Sequence, residues 1–172
     1  ESIYVSFLYK PTGDGPMTYW QLFQAEPIDL DNHQRGRFDG HSYIEPNFGH
    51  LFQARFRNSG TGQDEEGDGH PLGTTLFLVG KLSIVPGDFD NDTWEIWINP
   101  DPVSTEPAAD LVATGMPGED INPAGGIFGY ELRLRPTSNS HSGQFQFDEL
   151  RIGTTWEAVV LGATALRNWE VY

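Results

Sequence analysis

Cysteine is absent from all 172 residues, which excludes disulfides, cysteine-zinc sites and a thiol nucleophile together. Basic residues are scarce, with 10 Lys and Arg against 25 Asp and Glu and a net charge of −15. Such a surface repels a phosphate backbone or an anionic leaflet, so no nucleic-acid and no membrane role is expected. No apolar run reaches the ~18 residues that cross a bilayer as a helix, and no basic stretch followed by an apolar one opens the chain. Helical periodicity is also missing, apart from one short segment, TTWEAVVLG at 154–162. The chain has no GxSxG turn, no P-loop and no dinucleotide fingerprint.

What is present is alternation. Phe48, His50, Phe52, Ala54 and Phe56 share one face of an extended segment, and Leu51, Gln53, Arg55 and Arg57 share the other. Comparable runs occupy 3–10, 18–24, 74–85, 93–99, 126–135 and 143–153, with a weaker one at 110–114, so about eight strands are expected. Between them lie turn-rich segments, KPTGDGP, RNSGTGQDEEGDGHPLG, VPGDFDND, NPDPVSTEPAAD and RPTSNSHSG, which draw on 20 Gly and 12 Pro. Strand following strand with polar connections predicts an all-β protein, an antiparallel two-sheet sandwich in one domain. Near the end the phase changes, because Phe145 and Phe147 fall on one face and Leu150 and Ile152 on the other. A bulge around Asp148 and Glu149 would return all four to one side; burial on both faces is the alternative.

Three segments carry a family resemblance. LFLVGKLSI supplies Gly80 and Lys81; DTWEIWINP supplies Asp92, Thr93, Trp97, Asn99 and Pro100; QFQFDELRIGTTWEAV supplies Phe147, Asp148, Glu149, Arg151, Gly153, Thr155 and Trp156. In this order they resemble the concanavalin A-like lectin/glucanase superfamily, specifically the laminin G-like jelly-roll domains of bacterial surface and secreted proteins. YVSFLYK (4–10) is similar to a strand in the middle of such domains, so the resemblance spans about 3–160. It implies a jelly roll over 1–160 that lacks its N-terminal strands, followed by a tail or added strand at 161–172. The absent strands would come from an earlier part of a precursor, a separate chain or the tail, and bare sheet edges invite self-association or a complementing chain. The resemblance and the acidic, cysteine-free composition together imply a secreted or cell-surface location.

Two acidic loops are candidate metal sites. Asp88, Asp90 and Asp92 alternate in PGDFDNDTW and offer the oxygen donors calcium prefers, although the spacing departs from an EF-hand at Thr93 and Asn99. A polar turn capped by its own carboxylates is the other reading. Asp64, Glu65, Glu66 and Asp68 form the second cluster, read first as a solvated loop. Structural calcium is a known feature of laminin G-like domains, so the resemblance adds weight to the first.

A sugar site needs an aromatic face for the apolar side of a pyranose and polar groups for its hydroxyls. Thr93, Glu95, Trp97 and Asn99 share one strand face that mixes both, so Trp97, Glu95 and Asn99, with Tyr130, are candidate ligand-binding residues. Packing of Trp97 beneath a loop is the competing reading. Glycoside hydrolysis requires two carboxylates about 5–10 Å apart across the bond. WEIWINP holds only Glu95 and FQFDELRI holds adjacent Asp148 and Glu149, so no catalytic residue is assigned and the protein is not expected to be an enzyme. The expectation is a non-catalytic recognition or adhesion module for a glycan or a cell-surface protein, with structural calcium. A structural subunit of a surface layer, sheath or filament is the alternative, and a polysaccharide hydrolase or lyase is the third.

Overall fold

The computed structural model describes residues 2–12, 18–23, 34–42, 50–55, 63–65, 69–71, 73–85, 92–102, 105–114, 129–134 and 145–161. In chain order the strands are β1 (Ser2–Pro11), β2 (Thr18–Phe23), β3 (Gln34–Ser42), β4 (His50–Arg55) and β5 (Gln63–Glu65), then β6 (Leu76–Ser83), β7 (Thr93–Ile98), β8 (Leu111–Thr114), β9 (Gly129–Leu134) and β10 (Phe145–Gly153). A single helical turn and a half, α1 (Trp156–Val160), follows directly. The protein is all-β and antiparallel. One five-stranded sheet runs β10-β1-β6-β7-β8, and the backbones of the remaining strands pair in the order β5-β4-β3-β2-β9.

Alternation builds the core. Val5, Phe7 and Tyr9 of β1 lie on one side with Leu76, Leu78 and Leu82 of β6, Trp94 and Ile96 of β7, and Leu111 and Ala113 of β8. Phe52 and Ala54 of β4 join that cluster, as the alternation at 48–56 predicts, and the Phe52 ring meets Tyr9 edge-on at 6.0 Å. Burying each large side chain contributes about 1.5–3 kcal/mol. The opposite side of the sheet is sealed over part of its area by a second cluster, Tyr4, Val79, Trp97, Trp156, Val159 and Val160, so β1 is covered on both faces.

Helix α1 is small but anchored. Thr155 caps it, its side chain accepting from the Ala158 amide, and Ser6 Oγ donates to the Val159 carbonyl at 2.7 Å. Gly153 lets it approach, since a Cβ there would sit 2.9 Å from that of Ala158.

The phase change in β10 is a bulge. Register slips between Ser6 and Leu8 of β1, which pair with Arg151 and Asp148, and Glu149 takes φ 57°. Two strands go beyond those expected. β3, QRGRFDGHS, has one large apolar residue and two glycines, and β5, QDE, falls within an acidic, glycine-rich stretch of sequence; both exist because β4 supplies a ladder to pair with. Residues 162–172 lie outside the described set.

Candidate functional site

The outer face of the five-stranded sheet brings the candidate residues together in cross-strand rows. Ser2, Ser83, Thr93 and Thr114 stand opposite one another across β1, β6, β7 and β8. The next row, two residues along each strand, is Tyr4, Lys81, Glu95 and Val112. Ser6, Val79 and Trp97 form the third, beneath α1 and the segment before β8.

The middle row is an ion-pair network. Lys81 Nζ donates to Glu106 Oε1 at 2.7 Å, lies 3.2 Å from Glu95 Oε2, and sits 5.5 Å from the centre of the Tyr4 ring. The Tyr4 hydroxyl donates to Glu106 Oε2 at 2.6 Å. Burial first, and then the hydrogen bond to Glu106, raise the Tyr4 phenol, and with the nearby Lys81 charge offsetting part of the rise it stands at about 12. For Lys81 burial alone would favour the neutral amine, but the hydrogen bond to Glu106 and the charge of Glu95 outweigh it and hold the ammonium well above the usual lysine range. Glu106 therefore pins the 105–110 segment to the sheet with both of its oxygens engaged. Sequence reading missed Glu106, whose place in a proline-rich connection gives no periodic signal.

Trp97 takes the packing role. It is 1% exposed, meets Trp156 edge-on at 5.1 Å and donates its indole N–H to the Pro107 carbonyl at 3.1 Å. A ring enclosed this way has no face free to stack on a sugar, which corrects its assignment as a ligand contact. Asn99 also serves the backbone: its φ is 53°, its amide donates to Phe77 O at 2.7 Å, and its Oδ1 accepts from Phe77 N at 2.8 Å. The left-handed conformation, which Asn tolerates better than most residues, closes the β6–β7 ladder there. Asp110 adds a second clasp, accepting from Ile98 N at 2.7 Å. Glu95 remains on the outer face, about a quarter exposed, as the partner of Lys81. Tyr130 lies within β9, and its side chain is outside the described set.

Of the three aspartates offered to calcium, Asp88 and Asp90 lie outside the described residues. Asp92 is fully buried, and its Oδ1 accepts from Val85 N at 2.8 Å, which ties together the two ends of the β6–β7 connection. Among the described residues no group of three or more His, Cys, Asp or Glu side chains is placed to hold a metal ion. Of the second acidic cluster, Asp64 and Glu65 belong to β5, paired with Ala54 and Gln53. Among the described residues no helix is long and apolar enough to cross a membrane.

Comparison with known families finds no family model that matches the chain, and comparison with curated proteins finds no match in sequence.

Proposed function

We propose that this chain is a jelly-roll sandwich of the concanavalin A-like kind, working outside the cell as a non-catalytic recognition module whose ligand is a glycan. The observation that carries the reading is the hydroxyl row on the outer face, Ser2, Ser83, Thr93 and Thr114, flanked by the partly exposed carboxylate of Glu95 and ammonium of Lys81. Adjacent strands are about 4.8 Å apart, so four hydroxyls in register span about 14 Å of rigid surface. That spacing suits successive hydroxyls of a short oligosaccharide. Because the ladder fixes the backbone beneath each group, little ordering entropy opposes binding. Val112, exposed at the end of the second row, supplies an apolar neighbour for the C–H face of a ring. In this reading calcium is structural, with Asp88 and Asp90 as its donors, while Asp92 clasps Val85.

Binding to immobilised polysaccharides, measured with the whole chain, tests the reading. A saturable interaction that weakens at least tenfold in Ser83→Val combined with Thr93→Val, at unchanged melting temperature, supports it. Binding to no glycan by a folded protein, or binding indifferent to those substitutions, refutes it. Calcium is checked separately: a chelator lowers the melting temperature at fixed pH if the ion belongs to the folded state, because a ligand bound only there must stabilise it.

A further inference from the structure

The hydroxyl row of the outer face borders a carboxylate that the scaffold engages by one oxygen only. Glu95 Oε2 lies 3.2 Å from Lys81 Nζ, whereas among the described residues nothing is bonded to Glu95 Oε1, and the side chain is 23% exposed. The strand register sets this carboxylate in a small patch with four corners. Glu95 stands opposite Val112 and Thr93 opposite Thr114, the two pairs lying two residues apart on each strand. Strands about 5 Å apart that rise about 7 Å over two residues make the patch roughly the footprint of one pyranose ring. Val112 is 41% exposed, and Thr114 is exposed as well. An open anionic acceptor, two hydroxyls and an apolar surface thus fall under a single sugar.

Charge decides which sugar. On the described part of this face Glu95 and Glu106 flank one ammonium, that of Lys81, which lies 2.7 Å from Glu106 Oε1 and is shared between the two carboxylates. Two negative charges against one positive leave one negative charge over, and the ammonium is already committed. The chain as a whole carries −15, so its long-range field points the same way as the local balance. A glycan with uronate or sulfate groups is repelled at both ranges. One with free amino groups is drawn in, and an N–H of its ammonium finds in Glu95 Oε1 the acceptor for a charge-assisted hydrogen bond. An acetamido group offers the same oxygen one neutral N–H and no charge.

We infer that the ligand of this face is a glycan built of amino sugars with free amino groups, one ammonium donating to Glu95 Oε1 while its ring lies against Val112. The inference rests on the glycan reading and narrows it. An exposed ion pair changes affinity by only about twofold to fivefold, so the charge biases specificity while the hydroxyl row and the apolar contact supply the rest of the binding.

Calorimetric titration of the whole chain with a glucosamine tetramer and with its fully N-acetylated counterpart, in about 0.02 M and about 0.5 M salt, tests it. The free-amine oligomer is expected to bind at least threefold more tightly at low salt, and the ratio to fall toward one at high salt. Glu95→Gln keeps the shape of the side chain and removes its charge, and is expected to lower the low-salt ratio at least twofold. A ratio unmoved by that substitution overturns the inference, as does a lysine tetramer that binds as tightly as the glucosamine tetramer, since charge alone is then being read. Equal binding of the two sugar oligomers, or tighter binding of the acetylated one, overturns it and leaves the glycan reading standing. So does binding of neither by a protein that still binds a neutral polysaccharide; a folded protein that binds no glycan at all removes both.

Discussion

Gly80 faces the core from the middle of β6, where a Cβ would meet the Trp94 ring at 2.7 Å from Cη2 and 2.9 Å from Cζ2, with Val5 Cγ1 at 3.3 Å. Carbon atoms do not approach that closely without something moving. Trp94 is 1% exposed and wedged among the largest side chains of the cluster, so the ring cannot swing into solvent. Gly80→Ala therefore has two opposed effects. Restricting the unfolded chain stabilises by about 0.4–1 kcal/mol, whereas forcing a methyl into a packed core costs about 1–3 kcal/mol. The second wins, leaving a net loss of about 1–2 kcal/mol. For a domain of this size that lowers the melting temperature by about 2–8 °C. Calorimetry on Gly80→Ala, Trp94→Phe and the double variant separates the causes. The smaller ring vacates the space the methyl needs, so the double variant should be more stable than the sum of the single effects predicts, by about 0.5–2 kcal/mol. A Gly80→Ala protein that melts at or above the parent temperature, or strictly additive effects, would refute the reasoning.

Trp97→Ala removes the indole that holds α1 and the Pro107 carbonyl to the sheet, and should cost about 3–5 kcal/mol in denaturant unfolding. Asp92→Ala leaves the Val85 amide short of its buried acceptor and should cost about 1–3 kcal/mol by the same measurement. Tyr4, raised to about 12, and Lys81, also raised, both bind protons more tightly folded than unfolded. Their contribution is whole below about pH 10 and is lost as pH climbs through the folded values, so stability measured by chemical unfolding should fall across that range. Tyr4→Phe combined with Lys81→Met should flatten the fall, and an unchanged slope would show that neither group matters there.

Much of the fold was legible because burial leaves a period. The alternation at 48–56 marked β4, the run at 74–85 marked β6, and the run at 93–99 marked β7 with the correct division of its faces. The bulge in β10 was one of two readings of its phase change, and the slipped register that returns Leu150 and Ile152 to the side of Phe147 decides between them. β3 and β5 were not, because their place is set by a neighbouring ladder more than by their own apolar content. Trp97 shows a different limit. Its face followed from period two, but whether that face was open depended on Pro107, Trp156 and Val159, which no local pattern connects to it.

The residues with the most distinctive chemistry turn out to be occupied by the scaffold. Gly80 makes room for Trp94, Lys81 pairs with Glu95 and Glu106, Asp92 clasps Val85, Asn99 ends a ladder, Gly153 admits α1, and Thr155 caps it. Each of these positions, singled out in the sequence for its resemblance to a family pattern, holds the sheet together in this structure. Replacing any of them would disturb stability before it reported on a ligand. The side chains left at the surface are plainer: the serine and threonine row on the outer face, where the Ser2 and Ser83 hydroxyls share a hydrogen bond of 3.3 Å, and Leu150 and Ile152 on β10. Substitutions there alter the surface while leaving the core and its clasps intact, so a loss of binding in such variants reports on recognition itself.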